Sequence, residues 1–174
     1  MYSERVVFIK TRNHVIWLGL GGNVGEVAVR LASVTKEIAA MSRRPLALSP
    51  VYLSEAWGGI DQPAFLNQVV EMEIDTSPLA CLHSMQRLER KYGRNRRDEM
   101  RWGPRPMDID LLSWSGPQIH CSELTIPHLH LSARRFVLQP FADIAPDHVP
   151  AGYSQSIREL LELCTDEKLV IYQS

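Results

Sequence analysis

The order of apolar and polar positions along the chain predicts its elements one after another. His14 to Leu20, HVIWLGL, is an apolar run that reads as a buried strand, and the GGNVG that follows reads as a turn into a helix. Asn23 followed by Glu26 resembles a capping pair, and Val27, Leu31, Val34, Ile38 and Met41 recur at helical spacing, marking one apolar face. Residues 46 to 53 read as a second strand. Residues 54 to 64, SEAWGGIDQPA, have the Gly and Pro content of a long loop. Between residues 65 and 74 the alternation of Val70, Glu71, Met72, Glu73 and Ile74 predicts a strand with one wet face. Ser77 and Pro78 supply an N-cap and a first-turn proline for a helix with the stripe Leu79, Leu82, Met85, Leu88 and Tyr92, ending at Gly93. MDIDLL at 107 to 112 predicts a strand whose period of two puts Asp108 and Asp110 on one face, Ile109 and Leu111 on the other. A helix at about 132 to 142, another from Ser156 with Glu159 completing a capping box, and a closing strand LVIY at 169 to 172 follow. With no repeat and no linker, residues 14–174 are expected to form a single domain behind an N-terminal extension, residues 1–13. Taken alone, the pattern supports a mixed α and β protein.

Composition narrows the class. The chain has 174 residues, 45% apolar and 22% charged, enough to bury a core without disulfides or a structural metal. Its longest apolar run is far too short to span a bilayer, and the N-terminus lacks the apolar region of a signal peptide, so a cytoplasmic protein is expected. Cys81, Cys121 and Cys164 are odd in number and show no paired spacing, so they read as buried thiols. A formal charge of −1 argues against a general nucleic-acid binder. That balance hides a basic segment. Arg87, Arg90, Lys91, Arg94, Arg96, Arg97, Arg101 and Arg105 face only Glu89, Asp98 and Glu99, and such an excess calls for an anion.

Several residues could carry chemistry. The glycines of LGLGGNVG miss the dinucleotide spacing, since the third position falls on Val24, and no Lys-Ser or Lys-Thr follows to make a P-loop. Asp108 and Asp110 read either as two solvated aspartates or as oxygen ligands for Mg²⁺, an ion that keeps several waters. Arg101, Trp102 and Arg105 beside them favour a magnesium-bound polyphosphate, whose remaining oxygens guanidinium groups can grip in pairs. His128, followed by Arg134, reads as a phosphate contact, and His130 as an ordinary surface histidine. Trp57, Phe65, Trp102 and Phe136 sit in or beside loops. They read as core packing one by one, and together, with the amide of Asn67, as a pocket for a flat nitrogen-rich ring.

Read in order, GGN at 21 to 23, DQPAFLN at 61 to 67, Glu89 with Gly93 and Arg94, RWGPRPMDIDLL at 101 to 112 and LTIPH at 124 to 128 resemble the 6-hydroxymethyl-7,8-dihydropterin pyrophosphokinases of folate synthesis. The likeness runs from about residue 14 to 165 and implies an α+β domain, ferredoxin-like at its core, with a mainly antiparallel sheet and helices on both faces. It implies that Mg²⁺-ATP gives its β,γ-pyrophosphoryl group to the pterin hydroxymethyl oxygen while AMP leaves. By motif position, Asp108 and Asp110 would hold two magnesium ions. Phe65 and Phe136 would sandwich the pterin, with Asn67, Ser54 and the Trp57 backbone reading its edge. Trp102 and Arg105 would steady bound ATP, Gln86, Glu89, His128 and Arg134 would contact its phosphates or ribose, and Leu111 and Thr125 its adenine. Arg94 and Arg96 would lie on a loop that closes over the site. The chain departs from the family pattern at Glu55-Ala56, at Glu123, at Leu129 and in a slightly longer loop between Gly93 and Trp102. The expected partners are small molecules, with neither nucleic acid nor membrane, and the expected state is a monomer. A silent pterin- or nucleotide-binding relative is the alternative that Glu123 and Leu129 suggest, and a nucleic-acid binder is the one the basic segment suggests.

Overall fold

β1 (His14–Gly22) lies inside the sheet, with a strand on either side, because it can be buried along nearly its whole length: Ile16, Leu18 and Leu20 are 2% exposed or less. The computed structural model describes residues 13–56, 61–95, 103–166 and 170–171; Trp57, Arg96 and Trp102, and residues 1–12 of the expected extension, lie outside them. β1 pairs antiparallel with β4 (Phe65–Ile74) on one side and with β5 (Asp108–Trp114) on the other. β3 (Tyr52–Ser54) and β8 (Val170–Ile171) extend the sheet beyond β4, giving the order β5-β1-β4-β3-β8, and β2 (Ala47–Leu48) pairs with β4 as well. With α1 (Val27–Met41) between β1 and β3, and α2 (Pro78–Lys91) between β4 and β5, this is the ferredoxin-like α+β arrangement expected. A small hairpin, β6 (Ile119–His120) with β7 (Thr125–Ile126), stands apart from the sheet.

Helices cover both faces, so the apolar residues fall into two groups. Val27, Leu31, Val34 and Ile38 of α1 join Cys81, Met85 and Leu88 of α2 over one face. On the other, α3 (Arg135–Ile144) and α4 (Ile157–Leu163) bring Val137, Leu138, Phe141, Ile157 and Leu160 against Trp17, Val69 and Leu112. Ser77 caps α2 by accepting from the Ala80 N–H, and Ser156 with Glu159 makes the predicted capping box of α4.

Four readings need correction. The strand expected over residues 46 to 53 is two short ones, because Pro50 lacks an N–H and the Ser49 hydroxyl accepts the Val69 N–H at 2.9 Å in a side-chain substitute for the ladder. Asn23 caps no helix: α1 begins after Glu26 without a side-chain cap, and Asn23 is committed elsewhere. The helix expected at about 132 opens at Arg135, after a single 3₁₀ turn at Leu131–Ala133. Cys81 is buried, but Cys121 is exposed.

His148 marks a pH sensitivity of the second core. Its ring lies 3.9 Å from that of Trp17 between centroids, and its Nε2 is 2.8 Å from the Ser113 hydroxyl; burial pushes its pKa down to about 4. The unfolded chain takes up this proton near pH 6.5 and the folded chain only near pH 4, so the associated stability is complete above pH 6.5 and falls as pH drops through that window. The expected loss is about 2–3 kcal/mol. The gap between thermal melts at pH 7 and pH 4.5 should shrink in the His148→Phe variant, with His128 supplying part of what remains, and a gap as large as that of the wild type would rule out His148 as a source.

Candidate active site

The register of the sheet builds the floor of a cleft. Gly19 stands opposite Asp110 on β5 and Val69 on β4, and Gly21 opposite Asp108 and Asn67. Directly opposed residues project from the same face, so two glycines lie between a carboxylate row and an amide, leaving a flat trough about 300 Å³ in volume. A Cβ on Gly21 would come within 3.3 Å of the Asn67 side-chain oxygen. On Gly22 it would fall 2.6 Å from the Pro106 carbonyl, so the GGN turn serves the approach of the 103–106 segment rather than a phosphate loop.

Ten predicted residues line this cleft together: Ser54, Phe65, Asn67, Arg94, Arg105, Asp108, Asp110, His128, Arg134 and Phe136. Gln86, Glu89, Leu111 and Thr125 are not among its lining. Leu111 is 4% exposed in the opposite core, as the period of two in β5 requires, and the Thr125 hydroxyl meets His120 Nδ1 at 3.3 Å. Glu89 is 1% exposed beneath the floor, where its carboxylate accepts the Ile109 N–H at 2.9 Å and a bond from Arg94.

Electrostatics divide the two aspartates. Asp108 accepts from Arg94 and, at 2.8 Å, from Arg105, so its charge is met by two guanidinium groups. Asp110 keeps 39% of its side-chain surface open to the cleft, yet its carboxyl lies low between protein walls. Removal from bulk water, then the Asp108 charge, push its pKa up to about 7, and Arg134 opposes them. Two carboxylates form no group of three or more His, Cys, Asp or Glu with metal spacing among the described residues. That donor set fits Mg²⁺, which takes one or two carboxylates and completes its shell with water and phosphate oxygens.

His128 is held neutral. Burial first, then Arg134 and His130, push its pKa down to about 4. The His130 backbone N–H donates to His128 Nδ1 at 3.2 Å, which places the ring proton on Nε2, 3.8 Å from Asp110. The ring therefore presents a donor to the cleft. Arg134 stacks its guanidinium over Phe136 at 5.7 Å, joining the charged part of the cleft to an aromatic one. At the far end the Asn67 amide donates to the Ser54 hydroxyl at 2.9 Å.

A sequence model described as 7,8-dihydro-6-hydroxymethylpterin-pyrophosphokinase (HPPK) matches residues 17–146, which contain every one of these lining positions. The chain belongs to the HPPK family. Among its relatives, a 2-amino-4-hydroxy-6-hydroxymethyldihydropteridine pyrophosphokinase of Pseudomonas aeruginosa is 36% identical over 87% of this chain and 93% of its own. One of Methylorubrum extorquens is 40% identical over 83% and 90%. The fold agrees with HPPK-DHPS of Plasmodium falciparum, at a TM-score of 0.68 and 13% identity, over 92% of this chain and 47% of that longer one.

Three residues that line the cleft of this HPPK-family chain, Gly19, Gly21 and His130, and Asn23 beside it, carry no local cue to these places in their sequence. Gly19 and Gly21 read as part of a glycine-rich stretch that misses the nucleotide fingerprint, Gly21 also as part of the GGN motif and the turn into the helix, and His130 reads as surface. Asn23 binds three segments at once: Nδ2 donates to Gln62 at 3.1 Å and to the Pro63 carbonyl at 2.9 Å, while Oδ1 accepts the Arg105 N–H at 2.8 Å. It thereby ties the approach to Phe65 to the approach to Asp108. No periodicity marks His130: it lies in a turn, between Leu129, 75% exposed, and Leu131, fully buried.

Proposed function

We propose that this cleft aligns the triphosphate of ATP with the hydroxymethyl oxygen of a 6-hydroxymethyl-7,8-dihydropterin and transfers the terminal pyrophosphoryl group, releasing AMP. The chain is a pterin pyrophosphokinase of folate biosynthesis by its family. The observation that carries the mechanism is the common face of Asp108 and Asp110 with Arg94, Arg105, His128 and Arg134 around them. Displacement at phosphorus asks little covalent help of a protein: the attacking oxygen must be held in line, charge on the phosphates met, and water kept out.

The pterin ring fits between Phe65 and Phe136, with Asn67 and Ser54 at its edge, and the phosphates between the aspartates and the Arg134 side. Asp108 and Asp110 would hold two magnesium ions, which when bound neutralise phosphate charge and lower the pKa of the hydroxymethyl group. Asp108, gripped by Arg94 and Arg105, is already oriented for that task. Arg134 and the His128 Nε2–H supply donors to phosphate oxygens. Gln86, Glu89, Leu111, Thr125, Trp57, Trp102 and Arg96 carry roles assigned by the resemblance: the first four and Trp102 for ATP, Trp57 for the pterin edge, Arg96 for loop closure. The same reading takes residues 14–174 as one domain acting as a cytoplasmic monomer on small molecules alone; no helix among the described residues is long and apolar enough to cross a membrane.

Phosphorus NMR with Mg²⁺, ATP and 6-hydroxymethyl-7,8-dihydropterin tests the reaction. AMP with a pterin diphosphate is the expected result; ADP would mean transfer of one phosphoryl group, and intact ATP beside bound pterin would favour a silent relative. Phe136→Ala should weaken pterin binding by about 1 kcal/mol or more, through lost stacking and buried area. Unchanged calorimetric affinity would remove Phe136 from the pterin pocket.

A further inference from the structure

We propose that His130 is a further substrate-contacting residue of this cleft, donating a hydrogen bond from its imidazole to a phosphate oxygen of the bound nucleotide. The inference rests on the reading of the cleft as the site of Mg²⁺-ATP. His130 lines the trough with Asp110, His128 and Arg134. The chain holds it there from both sides. The His128 N–H donates to the Leu112 carbonyl at 2.9 Å, fixing the segment to the end of β5, and Leu131, fully buried, plugs it into the second core. Between these anchors residues 129 and 130 form a turn in which Leu129 is exposed to solvent while His128 and His130 both line the cleft.

The surroundings select the ligand group. The two imidazole rings stand 6.0 Å apart between centroids, tilted by 59°, so they present neighbouring edges rather than stacked faces. The His130 backbone N–H donates to His128 Nδ1, which ties the two residues together at the cleft wall they both line. Whether neutral or charged, an imidazole carries at least one N–H donor. With the Arg134 guanidinium and the His128 Nε2–H on the same side, three donors converge, and a tetrahedral phosphate, with several acceptor oxygens, matches that set better than a flat ring does.

Titration calorimetry with Mg²⁺ and the non-cleavable analogue α,β-methylene-ATP tests this on the full chain. His130→Ala should weaken the analogue about tenfold to a hundredfold, the effect of one hydrogen bond to a charged group, and leave pterin affinity at its wild-type value. His130→Gln, which keeps an amide donor, should recover most of the loss. Magnesium tripolyphosphate, which has neither base nor ribose, should show the same pattern. Equal affinities of wild type and His130→Ala for the analogue, with wild type still forming AMP, would overturn the His130 assignment alone. A loss for the analogue without one for tripolyphosphate would overturn the phosphate contact. A wild-type protein that binds neither would overturn this inference together with the reading it rests on.

Discussion

Asp110→Ala is expected to abolish turnover, lowering kcat by about a thousandfold or more, because metal-assisted charge neutralisation contributes several kcal/mol to a phosphoryl-group transition state. The fold should survive. Asp110 sits low in the cleft beside Asp108, and its carboxyl is held above its ordinary range by burial and by that neighbour. A group whose folded pKa is raised contributes stability that is present at low pH and lost as pH rises through the folded value near 7. At pH 8 the charged Asp110 therefore opposes folding, and Asp110→Asn should melt no lower than wild type while being inactive. Kinetics and thermal melts on the same samples separate the two effects. Magnesium-dependent activity retained by Asp110→Ala would sink the metal assignment, and a strongly lowered Tm would mean that Asp110 holds the fold instead.

Glu89→Ala should do the reverse, striking stability first. Glu89 and Arg94 are 1% and 8% exposed, and the Glu89 carboxylate holds both Arg94 and the Ile109 N–H. Truncating Glu89 leaves the buried Ile109 N–H without its acceptor and takes away one of the two carboxylates that meet the Arg94 charge, a cost of about 3–5 kcal/mol. For a chain of this size that lowers Tm by roughly 6–15 °C. Activity should fall as well, since Arg94 also grips Asp108. Glu89→Gln, which keeps an acceptor for Ile109 but loses the charge, should fall between. A Tm within about 2 °C of wild type for Glu89→Ala would show the buried charge to be dispensable, leaving Glu89 the direct nucleotide contact that the resemblance implies.

The contrast between these two acids shows how far the sequence could be read. Asp108 and Asp110 were placed on one face by the period of a strand, a local property that pairing in the sheet left intact. The nucleotide contact of Glu89 comes from the resemblance alone, and its burial against Arg94 is not legible locally, because nothing in the helical pattern distinguishes a charge facing solvent from one facing an arginine beneath a sheet. Asn23 shows the same limit of local reading. Its spacing to Glu26 fits a cap, yet its partners are Gln62, Pro63 and Arg105, far along the chain. Helix stripes erred less, although Met41 proved 38% exposed and Cys81 took a place in α2 that the stripe had given to Leu79 and Leu82.

The sequence by itself determined the periodicities of its strands and helices, the caps at Ser77 and Ser156, and the family motif with the acids, bases and rings that the chemistry needs. Those are set by neighbours within a few residues, where backbone geometry dictates which side chains share a face. Tertiary structure alone decided that Gly19 and Gly21 leave a floor between β4 and β5, that His130 turns inward, and that Glu89 lies buried under Arg94. Each depends on strands and loops brought together from distant parts of the chain, and burial, which sets the energy of a charge, exists only once they have met.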